Sequence, residues 1–143
     1  LLLSCLKILV LEHIIWTDYL RPTLTLSGRD PINLSNRFGA YYTILHTLQP
    51  GEPEPMLNIL TSWYNGRYTV HIFPRKLHRP WQYFELEEKQ ILLSPASVDL
   101  GGVLITPRDE DFMKLTMGDV RDILSQVCMD EKDFLRSIEL LKK

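Results

Sequence analysis

The sequence predicts an α+β domain in which an antiparallel sheet carries helices packed on one face. Three observations carry that expectation. Two strand-like runs flank Asn65-Gly66, the strongest short-range signal for a two-residue hairpin. After Asp30-Pro31, apolar residues recur at three- and four-residue steps, as on one face of a helix. Near the C-terminus, Thr116 with Asp119 and Asp130 with Asp133 set capping signals ahead of further amphipathic runs. With 143 residues, 45% hydrophobic and 24% charged, the chain suits one globular domain over residues 1–143 and excludes a disordered tail.

The elements follow in order. Lys7 to Trp16 reads as one buried strand through Ile8, Leu9, Val10 and Leu11, and Tyr19 to Pro22 breaks it. Thr23-Leu24-Thr25-Leu26 alternates polar and apolar residues as a short second strand. Asp30 supplies an N-cap carboxylate and Pro31 a fixed first helical position. Leu34, Phe38, Tyr41, Tyr42, Leu45 and Leu48 then form the apolar face of a helix that ends before Gln49-Pro50-Gly51. Met56 to Tyr64 and Arg67 to Phe73 form the hairpin, and Pro74 to Phe84 is irregular. Val103-Leu104-Ile105-Thr106 reads as another strand, stopped by Pro107. Asp109 to Met113 reads as a turn of helix, and two capped helices close the chain.

Composition excludes several functions. Sixteen basic against eighteen acidic residues give a net charge of −2, which argues against a broad nucleic-acid footprint. The apolar start, Leu1 to Leu11, is too short and too interrupted by Ser4 and Lys7 to cross a membrane. It also lacks the basic leader and small-residue cleavage site of a signal peptide. Cys5 and Cys128 are too few for a disulfide framework and lack zinc spacing. They read as small buried hydrophobes in a reducing, cytoplasmic setting. No motif calls for a cofactor or a metal. The chain opens without an initiator methionine, so residue 1 is expected not to be the natural start.

A two-residue turn at Asn65-Gly66 sets Tyr64 opposite Arg67 and Trp63 opposite Tyr68. One hairpin face then carries Leu57, Ile59, Thr61, Trp63, Tyr68, Val70 and Ile72, the expected core. The other carries Asn58, Leu60, Ser62, Tyr64, Arg67, Thr69, His71 and Phe73 and runs into Arg75-Lys76. It reads either as an ordinary solvated sheet surface or as a ligand face. In the second reading, Arg67, His71, Arg75 and Lys76 cluster positive charge for phosphate oxygens, with Asn58 and Ser62 beside them.

The run Tyr68-Thr69-Val70-His71-Ile72-Phe73-Pro74-Arg75 resembles the nucleotide-binding strand of the histidine triad superfamily. His71 stands where the third histidine of that pattern falls. Thr69 holds the place of the nucleophile and Arg67 that of the first histidine. Such degenerate strands resemble those in the C-terminal halves of diadenosine tetraphosphate phosphorylase, galactose-1-phosphate uridylyltransferase and GDP-L-galactose phosphorylase. Met56 to Leu60 is similar to the preceding family strand. Phe73 to Lys76 with His78-Arg79-Pro80 is similar to its phosphate-proximal exit, and Ser94 to Arg108 to a later small-residue loop and strand. The likeness runs from about Arg21 to Val127 and is nearest to an uncharacterised bacterial group of the phosphorylase-like branch.

The resemblance implies a histidine-triad-like sheet domain, the C-terminal lobe of a longer nucleotidyltransferase or phosphorylase. Its substrate would be a dinucleoside polyphosphate or a nucleotide-sugar, and its partner an N-terminal lobe or a second copy. Family chemistry proceeds through a covalent histidine–nucleotide intermediate. The histidines here, at 13, 46, 71 and 78, never fall two apart, and no His-x-His-x-Gln run is present. The chain is therefore expected to hold no catalytic residue and to be inactive alone. The alternative is a lobe that binds nucleotide or another lobe and does no chemistry.

Other constellations point to less. Ser94, Ser97 and Asp99 lack a nucleophile elbow, and no lysine follows Gly101-Gly102 at phosphate-loop spacing. Asp109, Glu110 and Asp111 open a helical stretch where carboxylates suit the dipole better than they suggest a metal. Trp81, Tyr83 and Phe84 near Arg79 fit base stacking, core packing or a lobe interface equally. Leu1, Leu2, Leu3, Leu6, Trp81 and Phe84 are expected to face whatever partner covers the lobe.

Overall fold

The computed structural model describes residues 7–10, 13–16 and 21–143, without the side chains of residues 7–16 and Glu87. Five strands form one sheet in the order β1-β2-β3-β5-β4, every neighbour antiparallel. They are β1 (Lys7–Val10), β2 (His13–Trp16), β3 (Thr23–Gly28), β4 (Leu57–Tyr64) and β5 (Arg67–Pro74). The single strand expected over Lys7–Trp16 is thus two, paired Val10 to His13 and Lys7 to Trp16. Continuous apolarity cannot distinguish one long buried strand from two short ones. The expected exposure of Leu1, Leu2, Leu3 and Leu6 lies outside the described residues.

Helix α1 (Pro31–Leu48) begins as its sequence dictates, with the Asp30 carboxylate accepting the Ile32 N–H at 2.9 Å. It packs with α5 (Glu131–Leu141) on one sheet face. Leu24, Leu26 and Ile72 from the sheet meet Leu34, Tyr41 and Leu45 of α1 and Phe134 and Ile138 of α5. The Tyr41 hydroxyl would be a costly buried polar group, but it bonds Ser137 Oγ at 2.9 Å and ties the two helices together. Burial raises its pKa well above the usual phenol value.

Asn65 and Gly66 both take positive φ, 49° and 71°, which matches the twist of a tight hairpin. The register is the expected one, Tyr64 with Arg67 through Leu57 with Pro74. Burial along it is uneven. Trp63, assigned by alternation to the core, is 64% exposed, because the core beneath the hairpin reaches only Leu57, Tyr68 and Val70 and leaves the tip uncovered.

The opposite face is not uniformly open. Around β5's far end, Phe73 joins Leu100, Val120, Leu124, Val127 and Cys128 in a second core flanked by Leu60, Leu104 and Leu115. The covering residues come from α2 (Ser97–Leu100), α4 (Met117–Val127) and the chain between them, which includes α3 (Asp109–Lys114). Backbone bonds from Lys76 N–H to Val127 O and from Met129 N–H to Pro74 O, both 3.0 Å, close this layer onto β5. The strand expected at Val103–Thr106 does not form. Its backbone is held by α2, with the Val103 N–H on Val98 O and the Ile105 N–H on the Asp99 carboxylate. Apolar β-branched residues satisfied by a neighbouring turn need no strand partner.

Candidate functional site

Of the six residues singled out by sequence, Arg67, His71 and Ser62 share the uncovered part of the β4–β5 face. β5 directs Arg67, Thr69 and His71 to the same side. Ser62 pairs with Thr69, and Leu60 with His71. Arg67 is exposed at the hairpin turn and donates to Ser27 Oγ at 3.0 Å. His71 is half-buried, and its Nδ1 is hydrogen-bonded to Thr25 Oγ1 at 2.8 Å. Burial lowers its pKa, so the ring is neutral at pH 7, with its orientation fixed by buried Thr25. Its other ring nitrogen has no hydrogen-bond partner among the described residues.

Arg75 does not belong to that group. It follows β5, 6% exposed, and every N–H of its guanidinium meets a protein acceptor. Nε and Nη2 donate to Leu77 O at 3.2 and 3.1 Å, and Nη2 also to His78 O at 2.6 Å. Nη1 donates to Pro95 O and Asn58 Oδ1, both at 2.6 Å. No donor is left for an anion, which corrects the expectation that Arg75 binds phosphate. Asn58 is spent likewise: beyond Arg75, its Nδ2 donates to Ser97 Oγ at 3.3 Å, pinning α2 to β4. Lys76 is exposed elsewhere, beside Glu52, Asp130 and Asp133 in a separate hollow. Arg67 and Arg75 stand roughly 26 Å apart along the strand direction, so one phosphate cannot bridge them.

The acidic stretch also resolves. Asp111 is fully buried and accepts from Arg108 Nε at 2.8 Å, Lys114 Nζ at 3.0 Å and the Leu92 N–H at 2.9 Å. Burial alone would raise its pKa, but these donors outweigh it and hold the carboxyl at about 2. This carboxylate locks the 90–92 segment to α3. Among the described residues, no group of three or more His, Cys, Asp or Glu is placed to hold a metal. Cys128 lies buried next to the Arg75 clamp, and burial pushes its thiol up to about 11, which leaves it protonated and inert. Among the described residues no helix is long and apolar enough to cross a membrane.

Beyond the clamp lies a cleft of about 580 Å³ between the 77–84 and 94–96 segments, lined by His78, Arg79, Phe84 and Ser94. This basic and aromatic run fits base stacking, core packing or a lobe interface from its sequence alone. Exposure removes core packing from those uses: Trp81 is 53% and Phe84 67% exposed.

Comparison with known proteins completes the description. Residues 27–143 match the family described as GDPGP1-like, C-terminal domain. No curated protein and no solved structure matches the chain significantly.

Proposed function

The chain belongs to the GDPGP1-like C-terminal domain family, and from that premise we propose that it is the substrate-binding lobe of a phosphorylase-type protein. It receives a nucleotide or nucleotide-sugar and does not supply the nucleophile. The observation that carries this reading is β5 itself, which sets Arg67, Thr69 and His71 on one open face at two-residue spacing. That is a histidine-triad-like strand with an alcohol where the nucleophilic imidazole belongs. In such chemistry an imidazole nitrogen attacks the α-phosphorus, an N–P bond forms and the leaving phosphate departs. The Thr69 hydroxyl is a far weaker nucleophile than an imidazole nitrogen and does not replace it. Arg67 offers a guanidinium fork to phosphate oxygens, His71 a neutral ring nitrogen and Ser62 a hydroxyl. A second lobe in the cytoplasm brings the missing histidine, which another copy of this chain, sharing its sequence, does not hold.

The experiment pairs binding with turnover. Millimolar GDP-hexose should raise the melting temperature of the 143-residue chain, and Arg67→Ala should remove most of the rise without unfolding the protein. The same mixture with inorganic phosphate should release no GDP. A nucleotide trapped in phosphoramidate linkage on His71 or His78 would overturn the reading.

A further inference from the structure

The cleft beyond Arg75 takes no part in the β5-face reading and does not depend on it. Its lining holds Arg75, His78 and Arg79 and no carboxylate. Arg75 forms its floor, and the acceptors it meets are neutral: three backbone carbonyls and an amide oxygen. Hydrogen bonds of that kind satisfy the donors without cancelling the charge. Asp99 acts on Arg75 through space only, its carboxylate being engaged by the Ala96 and Ile105 N–H groups. A partly desolvated cation under an open cleft favours an anion above it.

The aromatic side is equally ordered. The Arg79 guanidinium carbon lies 4.2 Å from the centre of the Tyr83 ring, a cation–π contact that restrains the exposed side chain beside the cleft. Phe84 stands edge-on to Tyr83, with ring centres 5.3 Å apart. Its exposed surface is thereby held in place beside the basic groups. Stacking on a pre-set ring costs little ordering entropy.

We propose that this cleft binds a nucleotide-type ligand, with its phosphate on Arg79, His78 and Ser94 and its base against Phe84. The charge of Arg75 contributes from below while its donors stay with the protein. The site shares no residue with the β5 face, and its exposed ring, Phe84, packs edge-on against the Tyr83 on which Arg79 stacks.

Two-dimensional ¹H–¹⁵N spectra of the 143-residue chain, titrated at low salt with GDP, guanosine and inorganic phosphate in turn, test this. GDP should perturb residues 77–84 and 94–96 and bind more tightly than either fragment, and added salt should weaken it. Arg79→Ala should weaken GDP by about tenfold and Phe84→Ala by several-fold; both side chains are exposed, so both variants should fold. Equal GDP affinity in the two variants and the parent would overturn the proposal. Perturbations confined to residues 67–71 would overturn the cleft and leave the β5-face reading standing. Silence throughout at millimolar GDP would overturn both.

Discussion

Arg67 opens β5 in solvent beside the hairpin turn, whereas Arg75, just past the strand's other end, is 6% exposed and bonded on every side. The two are the same residue type, eight positions apart. What separates them is the chain that follows. Past the turn, among the described residues, Arg67 stays exposed. Past Pro74 the chain reverses, and the carbonyls of Leu77, His78 and Pro95 gather around Arg75. A cation next to ligand-like neighbours is available to a ligand only where the protein has not already used its donors. Here the fold spends one arginine on itself and leaves the other at the face.

The largest effect that would sharpen this contrast is on stability at Arg75. Arg75→Ala strands three carbonyls and the Asn58 side chain in or near the second core, and should cost about 3 kcal/mol or more in urea unfolding. Asp111 makes the same kind of commitment with the opposite charge. Asp111→Ala should cost about 2 kcal/mol, because it releases Arg108, Lys114 and the Leu92 N–H together. Its carboxyl sits at about 2 against 3.8 in the unfolded chain, so its contribution is present above about 3.8 and lost as pH falls toward 2. Asp111→Asn should flatten that part of the acid unfolding curve; an unchanged curve would show the lock to be inert.

Asn58→Ala removes one charge-assisted bond and should cost about 1.5 kcal/mol. In a double-mutant cycle with Arg75→Ala the two losses should not add, since the residues share one clamp. The smallest effect belongs to Arg67. Its substitution by alanine should move stability by less than about 0.5 kcal/mol. A larger loss there would break the comparison, because it would mean the hairpin end also depends on its arginine.

How far the sequence reached follows the same line. The β4–β5 register, the start and end of α1 and the Thr116 cap were legible because Asn-Gly, Asp-Pro and Thr-x-x-Asp act within a few residues. The Lys7–Trp16 reversal and the fate of Val103–Thr106 were not. Both depend on which distant backbone satisfies an apolar run. The site divided in the same way. Alternation along β5 brought Arg67, Thr69 and His71 to one face, and the structure keeps them there. Arg75 and Lys76 were grouped with them by proximity in sequence and Asn58 by register, and long-range contacts with Pro95, Val127 and Ser97 engage or redirect all three. Core packing of Trp81 and Phe84, one of three readings open beforehand, falls away because Gln82 between them turns inward to Asp122 and Gln126 and leaves both rings exposed.

The most direct test of this division compares urea unfolding of Arg75→Lys and Arg67→Lys, each with and without millimolar GDP-hexose. Lysine keeps the charge but cannot reproduce the fork of Arg75, so Arg75→Lys should lose about 2 kcal/mol with or without ligand. Arg67→Lys should unfold like the parent without ligand and gain less from the ligand than the parent does. If Arg75→Lys instead matches the parent without ligand and loses only the ligand-dependent gain, Arg75 is the phosphate ligand and the account is wrong.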